Sequence, residues 1–474
     1  MKRPRQILQK IMAGGLMISM LAGSLAVPTF AEETDTTTDS TSSQETEVDD
    51  ELQAAYNITV ESNELKNWPE GPGTYGEGAI VMEVGTGAIL YAKNIDAHFY
   101  PASITKLLTA LVAFENADLD DEVRVTEECI DFLEWDDARI NLEVGNKLSL
   151  KNAMYALLLA SANDAAYAIG QSVGENAGHD YKWFIKQMNK RCKELGGKNS
   201  NFVNTNGLHD DNHYTCAKDM ALIARELYKY PEVFTIMQTV DYTIPKSKTI
   251  DEHYFYQYHQ MLLPANANYY EYAIGGKTGY TDQALSTLVT MTDKDGYQLV
   301  CVVLKTHGVN VYPDTRNLIE YAYDNFKKVS VENKEKSDYV EEILEEDNTG
   351  YVMLPDDVKF KDLDLKIVPD DESGKDSDEG TLEYYYEDQY VGNARATLTK
   401  AYFKDLKKEA KKEAKEAKKE AKKKSKAKES ESATTSTTTT TTTTTTTEES
   451  LMDRWWENYV DTLETIFQPI IGLF

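Results

Sequence analysis

A serine three residues before a lysine, Ser103-Ile104-Thr105-Lys106, is a pattern that can do covalent chemistry. One helical turn puts the two side chains on one face. A hydroxyl is a poor nucleophile until a base takes its proton. A lysine amine becomes that base when burial or a nearby cation lowers its pKa. Alone the pair is weak, because a serine at a helix start serves equally as a cap. Ser161-Ala162-Asn163 offers a hydroxyl that can relay a proton and an amide that can hold a carbonyl, or else a helix-capping loop. Lys277-Thr278-Gly279 offers a cation and a hydroxyl for a carboxylate, with a glycine that lets a ligand approach the backbone. Were Lys106 and Lys277 to share one cleft, each would depress the other's pKa.

The elements that must carry these residues are legible from periodicity. Ala79–Val84 and Ala88–Tyr91 are strand-like runs joined by Gly85-Thr86-Gly87, hence a hairpin. From Ser103 to about Ala117 the apolar spacing is helical. Residues 150–173 are helical but interrupted at 161–164, which makes two helices meeting at a loop. Residues 180–195 and 216–229 also read as helices. Strands return over 274–280, 284–292 and 297–306, the last two a hairpin through Asp293-Lys294-Asp295-Gly296. A closing helix is expected just after Pro313. Strands at both ends, helices between and no βαβ alternation predict an α+β fold, an antiparallel sheet with a helical half.

Taken together, the three motifs fall in the order and setting of helix start, inter-helix loop and strand. They make up the set of penicillin-binding proteins and class A β-lactamases. The chain resembles most the low-molecular-weight, serine-type D-alanyl-D-alanine carboxypeptidases. The resemblance rests on GAILYAKNIDAHFYPASITKLLTAL (87–111), LSLKNAMYALLLASANDAA (148–166), residues 188–227 and GGKTGYTDQALSTLVTMT (275–292). It implies a DD-peptidase/β-lactamase-like catalytic domain over 57–326. It implies Ser103 as the acylated nucleophile, Lys106 as its base, and Ser161 and Asn163 as aids to proton transfer and positioning. Lys277 and Thr278 would bind the terminal carboxylate, beside Gly279. The backbone N–H groups of Ser103 and Tyr280 would form the oxyanion hole. Peptidoglycan stem peptides would be the substrate and β-lactam antibiotics covalent inhibitors. No cofactor or metal is needed. Cys216 stands where the family commonly has Ser or Thr.

The flanking regions add location and exclude other roles. Formal charge is −30, which repels nucleic-acid phosphate and argues against a nucleic-acid partner. Residues 1–31 carry four basic groups and no acid around an apolar run, a signal peptide with cleavage expected after Ala31. Residues 32–56 are an acidic linker. Residues 327–400, short β-rich runs between acidic turns, are expected to form a small β-domain resembling the family's second domain. Residues 401–430 are a Lys/Glu/Ala-rich helical arm, 431–450 a Thr-rich linker, and 451–474 an amphipathic helix expected to bind a membrane surface in plane, with the arm beside the headgroups. The expected location is the outer face of the cytoplasmic membrane and the cell wall. The four cysteines show no CxxC pair and are read as free thiols. His209 and His213 with Asp210 and Asp211 are read as a polar loop rather than a metal site. The rivals are a penicillin-reactive endopeptidase or esterase of the same fold, a β-lactamase, and a catalytically silent wall-binding protein. A β-lactamase fits badly, because it needs a fast deacylation base and has no use for the added domain, arm and tail.

Overall fold

The computed structural model describes residue 48, residues 50–344 and residues 350–432. The expected signal peptide, most of the acidic linker, nearly all of the Thr-rich stretch and the apolar segment 451–474 lie outside the described residues.

Five strands form one antiparallel sheet: β1 (Gly78–Glu83), β2 (Ile89–Lys93), β7 (Ala273–Thr281), β8 (Leu285–Lys294) and β9 (Tyr297–Thr306), in the order β2-β1-β9-β8-β7. Both chain ends of the region thus meet in one sheet, with β1 beside β9. All of β1 and the middles of β8 and β9 are buried, as a sheet covered on both faces requires; the middle of β9 is apolar throughout, and that of β8 is interspersed with Thr287, Thr290 and Thr292. β7 is an outer strand, so one of its edges pairs with no other strand of this sheet.

The helices between are α1 (Lys106–Asn116), α2 (Leu150–Leu158), α3 (Asn163–Asn176), α4 (Tyr181–Glu194), α5 (Ala217–Leu227) and α6 (Pro231–Met237). Two-stranded ribbons accompany them: β3 (Glu122–Arg124) with β4 (Lys147–Ser149), and β5 (Asp241–Ile244) with β6 (His253–Tyr256). Residues 106–113 of α1 are buried without interruption, the mark of a helix inside a core rather than on its surface.

Three boundaries differ from the sequence reading. The segment from Ser103 is not one helix. Ala102–Thr105 form a 3-10 turn, and the α-helix starts at Lys106. Ala102 has φ +51, a left-handed conformation that sets the turn off from what precedes it. Asn163 and Asp164 belong to the first turn of α3 rather than to the loop before it. The closing helix, α7 (Val311–Asn325), begins two residues before Pro313. First-turn N–H groups have no helical partner, so a proline there costs no hydrogen bond.

By internal packing the first compact unit runs to Val329 and takes in Met353–Leu363 and Tyr386–Val391. The second holds Ser330–Val352, Asp364–Tyr385 and the residues from Gly392. The chain therefore crosses between units several times, where the composition change marks a single crossing at 326/327. The second sheet has β10 (Lys327–Ser330), β12 (Tyr351–Leu354), β15 (Gln389–Leu398), β14 (Glu379–Tyr386) and β13 (Asp364–Pro369) in that order, with β11 (Val340–Leu344) also paired to β15. In β14 burial alternates residue by residue, as in a sheet with one wet face. A long helix, α8 (Lys400–Ser432), follows.

The four cysteines are free and buried. Among the described residues no helix is long and apolar enough to cross a membrane, and no group of three or more His, Cys, Asp or Glu is placed to hold a metal ion.

Candidate active site

The first two motifs converge on the amine of Lys106. Its Nζ lies 2.8 Å from Ser103 Oγ, 2.7 Å from Asn163 Oδ1 and 2.6 Å from the carbonyl oxygen of Asn206. Asn163 reaches it from the start of α3, whose own N–H is bound to Ala138 O at 2.8 Å. Ser161 sits just before α3, buried, with φ +59. Left-handed conformations at Ala102 and Ser161 cost about 1–2 kcal/mol each and persist only where the surroundings enforce them.

The arrangement has a consequence for proton placement. Asn163 Oδ1 and Asn206 O are carbonyl oxygens and can only accept. An ammonium donates to all three neighbours. A neutral amine has two N–H groups, which those two carbonyls take. Its lone pair is then left for the Ser103 hydroxyl, which becomes the donor. Burial pushes Lys106 well below the ordinary lysine value, and the charge of Lys277 pushes it further, against the weaker pull of Asp137 and Asp164.

The third motif lies on β7. Lys277 is buried, and its amine donates to Thr278 O at 2.8 Å. Burial lowers its pKa to about 7. The expected mutual effect of the two lysines is therefore resolved at Lys106, whereas at Lys277 burial alone accounts for the shift. Thr278 is half-buried, and Tyr280 is 62% exposed. A Cβ on Gly279 would stand 2.9 Å from the backbone nitrogen of Ser103 and 2.4 Å from Thr287 Oγ1. Only glycine lets β7 come this close to Ser103. Thr287 on β8 fastens the same turn by donating to Pro101 O at 2.9 Å. Ser103, Lys106 and Asn163 thus meet in one hydrogen-bonded cluster, with Gly279 of β7 packed against Ser103, and Ser161 lies two residues before Asn163 in the chain.

The motif reading missed the loop of Asn204-Thr205-Asn206-Gly207, which closes the cage around Lys106. Asn204 Oδ1 accepts from Gly207 N at 2.7 Å, and Thr109 Oγ1 on α1 donates to Thr205 O at 2.7 Å. Gly207, at φ +88, lies so near Ala102 that a Cβ would sit 1.9 Å from its carbonyl oxygen. The available signal was the Asn-rich turn ending in glycine. Asp164 was also missed. Buried, it accepts from the backbone N–H groups of Leu142 and Ala165 at 3.0 and 2.9 Å, which ties α3 to the segment before β4. Burial raises its pKa.

His213 is buried in the polar loop as read. Its Nδ1 accepts from Val203 N, so Nε2 carries the proton and faces Thr105 Oγ1 at 2.8 Å. Burial lowers its pKa to about 4, which keeps it neutral. Cys216 caps α5: its sulfur accepts from Asp219 N at 3.4 Å, the place a Ser or Thr hydroxyl takes at a helix start.

Residues 67–308 match the family described as peptidase S11, D-alanyl-D-alanine carboxypeptidase. The D-alanyl-D-alanine carboxypeptidase DacF of Bacillus subtilis (strain 168) is 30% identical over 259 residues, 52% of this chain and 62% of that protein, so this chain spans less than two thirds of that relative. A D-alanyl-D-alanine endopeptidase of Escherichia coli (strain K12) is 27% identical over 240 residues, 48% of this chain and 71% of that one. Among solved structures, penicillin binding protein 6B from Escherichia coli superposes with a TM-score of 0.53 at 20% identity, over 70% of this chain and 98% of that one, a likeness of fold.

Proposed function

The chain belongs to the peptidase S11 family of D-alanyl-D-alanine carboxypeptidases, and on that premise we propose that it removes the terminal D-Ala from peptidoglycan pentapeptide stems through an acyl-serine. The observation that carries the reading is the caged Lys106 amine 2.8 Å from Ser103 Oγ. Neutral Lys106 takes the Ser103 proton as the oxygen attacks the carbonyl carbon of the penultimate D-Ala. The tetrahedral oxyanion is held by the N–H groups of Ser103 and Tyr280. Ser161 relays the proton from Lys106 to the leaving amine, which leaves Lys106 neutral again as free D-Ala departs. Water then attacks the ester and gives a proton to Lys106, which passes it to Ser103 Oγ as the shortened stem is released. Asn163 positions Lys106 and the substrate. Lys277 and Thr278 hold the terminal carboxylate, with Gly279 giving the backbone clearance. The outer edge of β7 suits an extended peptide laid beside it as an added strand.

Penicillin would acylate the same serine. Mass spectrometry of penicillin-treated protein should find the adduct on Ser103, and a pentapeptide stem should yield free D-Ala. Ser103→Ala should abolish both. An adduct on another serine would overturn the assignment. Cleavage only of cross-linked stems would favour the endopeptidase reading, which the similarity to the Escherichia coli endopeptidase supports. For location, we infer export through residues 1–31 and in-plane membrane anchoring through 451–474. Deleting 451–474 should release the protein from membranes and leave activity on a soluble peptide unchanged. Continued sedimentation with membranes would refute the anchor.

A further inference from the structure

The first turns of α8 separate their charges by face. At 100° per residue, Lys400, Lys404, Lys407, Lys408, Lys412, Lys415 and Lys419 fall within an arc of roughly 140°, and Asp405, Glu409, Glu413 and Glu416 fall in the next arc without overlap. The lysines are exposed. The stripe is about 29 Å long at 1.5 Å per residue. Neighbours three and four apart stand about 5–6 Å from one another.

The second unit also builds a wall beside this stripe. Phe403 packs against Gly374, and Tyr402 OH donates to Ile367 O at 3.3 Å, which pins the helix start to its own sheet. Lys407 Nζ donates to Ser373 O at 2.8 Å. The turn at 371–376 is itself rigidified by Asp371, which accepts from the backbone N–H groups of Ser373, Lys375 and Asp376. Between helix, turn and Tyr339 lies an open groove of about 1220 Å³, lined by the lysines of the stripe as far as Lys415 and, at one side, by Asp405 and Glu409, so that lysines outnumber acids in its lining.

We propose that this groove and stripe form a docking surface for one strand of a linear phosphodiester polymer such as poly(glycerol phosphate). Charge complementarity selects a polyanion in a chain that is otherwise strongly acidic. A band of cations two rows wide, spaced at a few ångströms along the helix, can pair with successive phosphates of one chain. The concavity admits a strand and excludes a flat bilayer. Alanines and acids flank the stripe, so this stretch has no apolar face to sink into lipid. The sequence reading sets the arm beside headgroups; the geometry of its first turns assigns them to a polymer instead.

The test uses the full chain with fluorescent poly(glycerol phosphate), phosphatidylglycerol vesicles and inorganic phosphate as separate probes. The variant K404Q/K407Q/K408Q/K412Q/K415Q removes five charges. With five phosphates neutralised, the log–log salt slope is about −3.5, so wild-type affinity for the polymer should fall roughly 100-fold between 50 and 200 mM salt. The variant should lose most of that slope, and inorganic phosphate should not compete at matched phosphate concentration. The same five positions changed to Arg should retain binding, which excludes a folding defect. Unchanged polymer binding in the Gln variant would overturn the proposal. So would vesicles binding as tightly as polymer to a chain lacking 451–474, because the surface would then be a lipid one.

Discussion

Gly207→Ala is the substitution whose effect the geometry fixes most closely. The new Cβ would be placed 1.9 Å from Ala102 O, 2.4 Å from Ala102 C and 3.0 Å from Ser103 N, at φ +88. An ordinary C···O contact is about 3.3 Å, so loop and turn must part by roughly 1.4 Å. Both neighbours are backbone, so no side chain can swing away to absorb the clash. Separation moves either Asn206 O from Lys106 or Ser103 N from the place proposed for it in the oxyanion hole, and a misplacement of ~1 Å costs about 100-fold in rate. The left-handed backbone adds a stability loss of about 1–2 kcal/mol. Gly145→Ala separates the two effects. Gly145 has φ +89 but nothing within 4 Å of a Cβ, so it should suffer the backbone penalty alone. Stopped-flow acylation by a fluorescent penicillin, with thermal unfolding of each protein, makes the comparison. Gly207→Ala should acylate about 100-fold more slowly, and Gly145→Ala at the wild-type rate. If Gly207→Ala acylates within threefold of wild type, or both variants slow equally, the loop does not position the lysine.

Other outcomes follow from the same cleft. Lys106→Arg should lose acylation by about 10²–10⁴-fold, since a guanidinium accepts no proton near neutrality, whereas Lys277→Arg should keep part of its activity because it supplies charge; equal losses would contradict the assigned roles. With burial holding Lys277 near pH 7, its cation fades as pH rises through that value. KM for a peptide ending in a carboxylate should therefore climb from pH 7 to pH 9, and the climb should flatten in Lys277→Arg; a flat wild-type profile would remove Lys277 from carboxylate binding. Cys216→Ser replaces a sulfur cap by the stronger hydroxyl acceptor, so unfolding free energy should rise by about 0.5–1 kcal/mol with kcat unchanged; a lower melting temperature would show that the thiol's packing outweighs the cap.

What the sequence revealed of this site depended on the range of each interaction. Ser103 and Lys106 are one turn apart, and Lys277, Thr278 and Gly279 are contiguous, so local pattern sufficed for both. The hairpins β1–β2 and β8–β9 were legible because their turns carry glycine and aspartate at the right places. The pairing of β1 with β9 follows from no local signal, since it joins residues more than two hundred apart. Asn206 was invisible for a different reason: it contributes a backbone carbonyl, which every residue has, and only the turn makes that carbonyl special. The strands β10 and β11 were missed because they are short, charged and half-exposed, with little of the apolar alternation that marks a strand.

The cage around Lys106 holds two opposed tendencies. Three acceptors favour the ammonium, which can satisfy all of them. Burial and the charge of Lys277 favour the neutral amine. Neither tendency alone would serve a base that must give up a proton, take one from Ser103 and give it back. Two of the three acceptors are carbonyls that cannot donate, so losing a proton turns the amine without moving it, and the lone pair faces Ser103 by elimination. One of those carbonyls is backbone and cannot be removed by changing a side chain. Its position depends on a glycine packed against the residue before the nucleophile. The contact of Gly207 on Ala102 therefore bears on Lys106 and Ser103 at once, and in the proposed mechanism any change that opens it should disturb proton transfer and oxyanion geometry together.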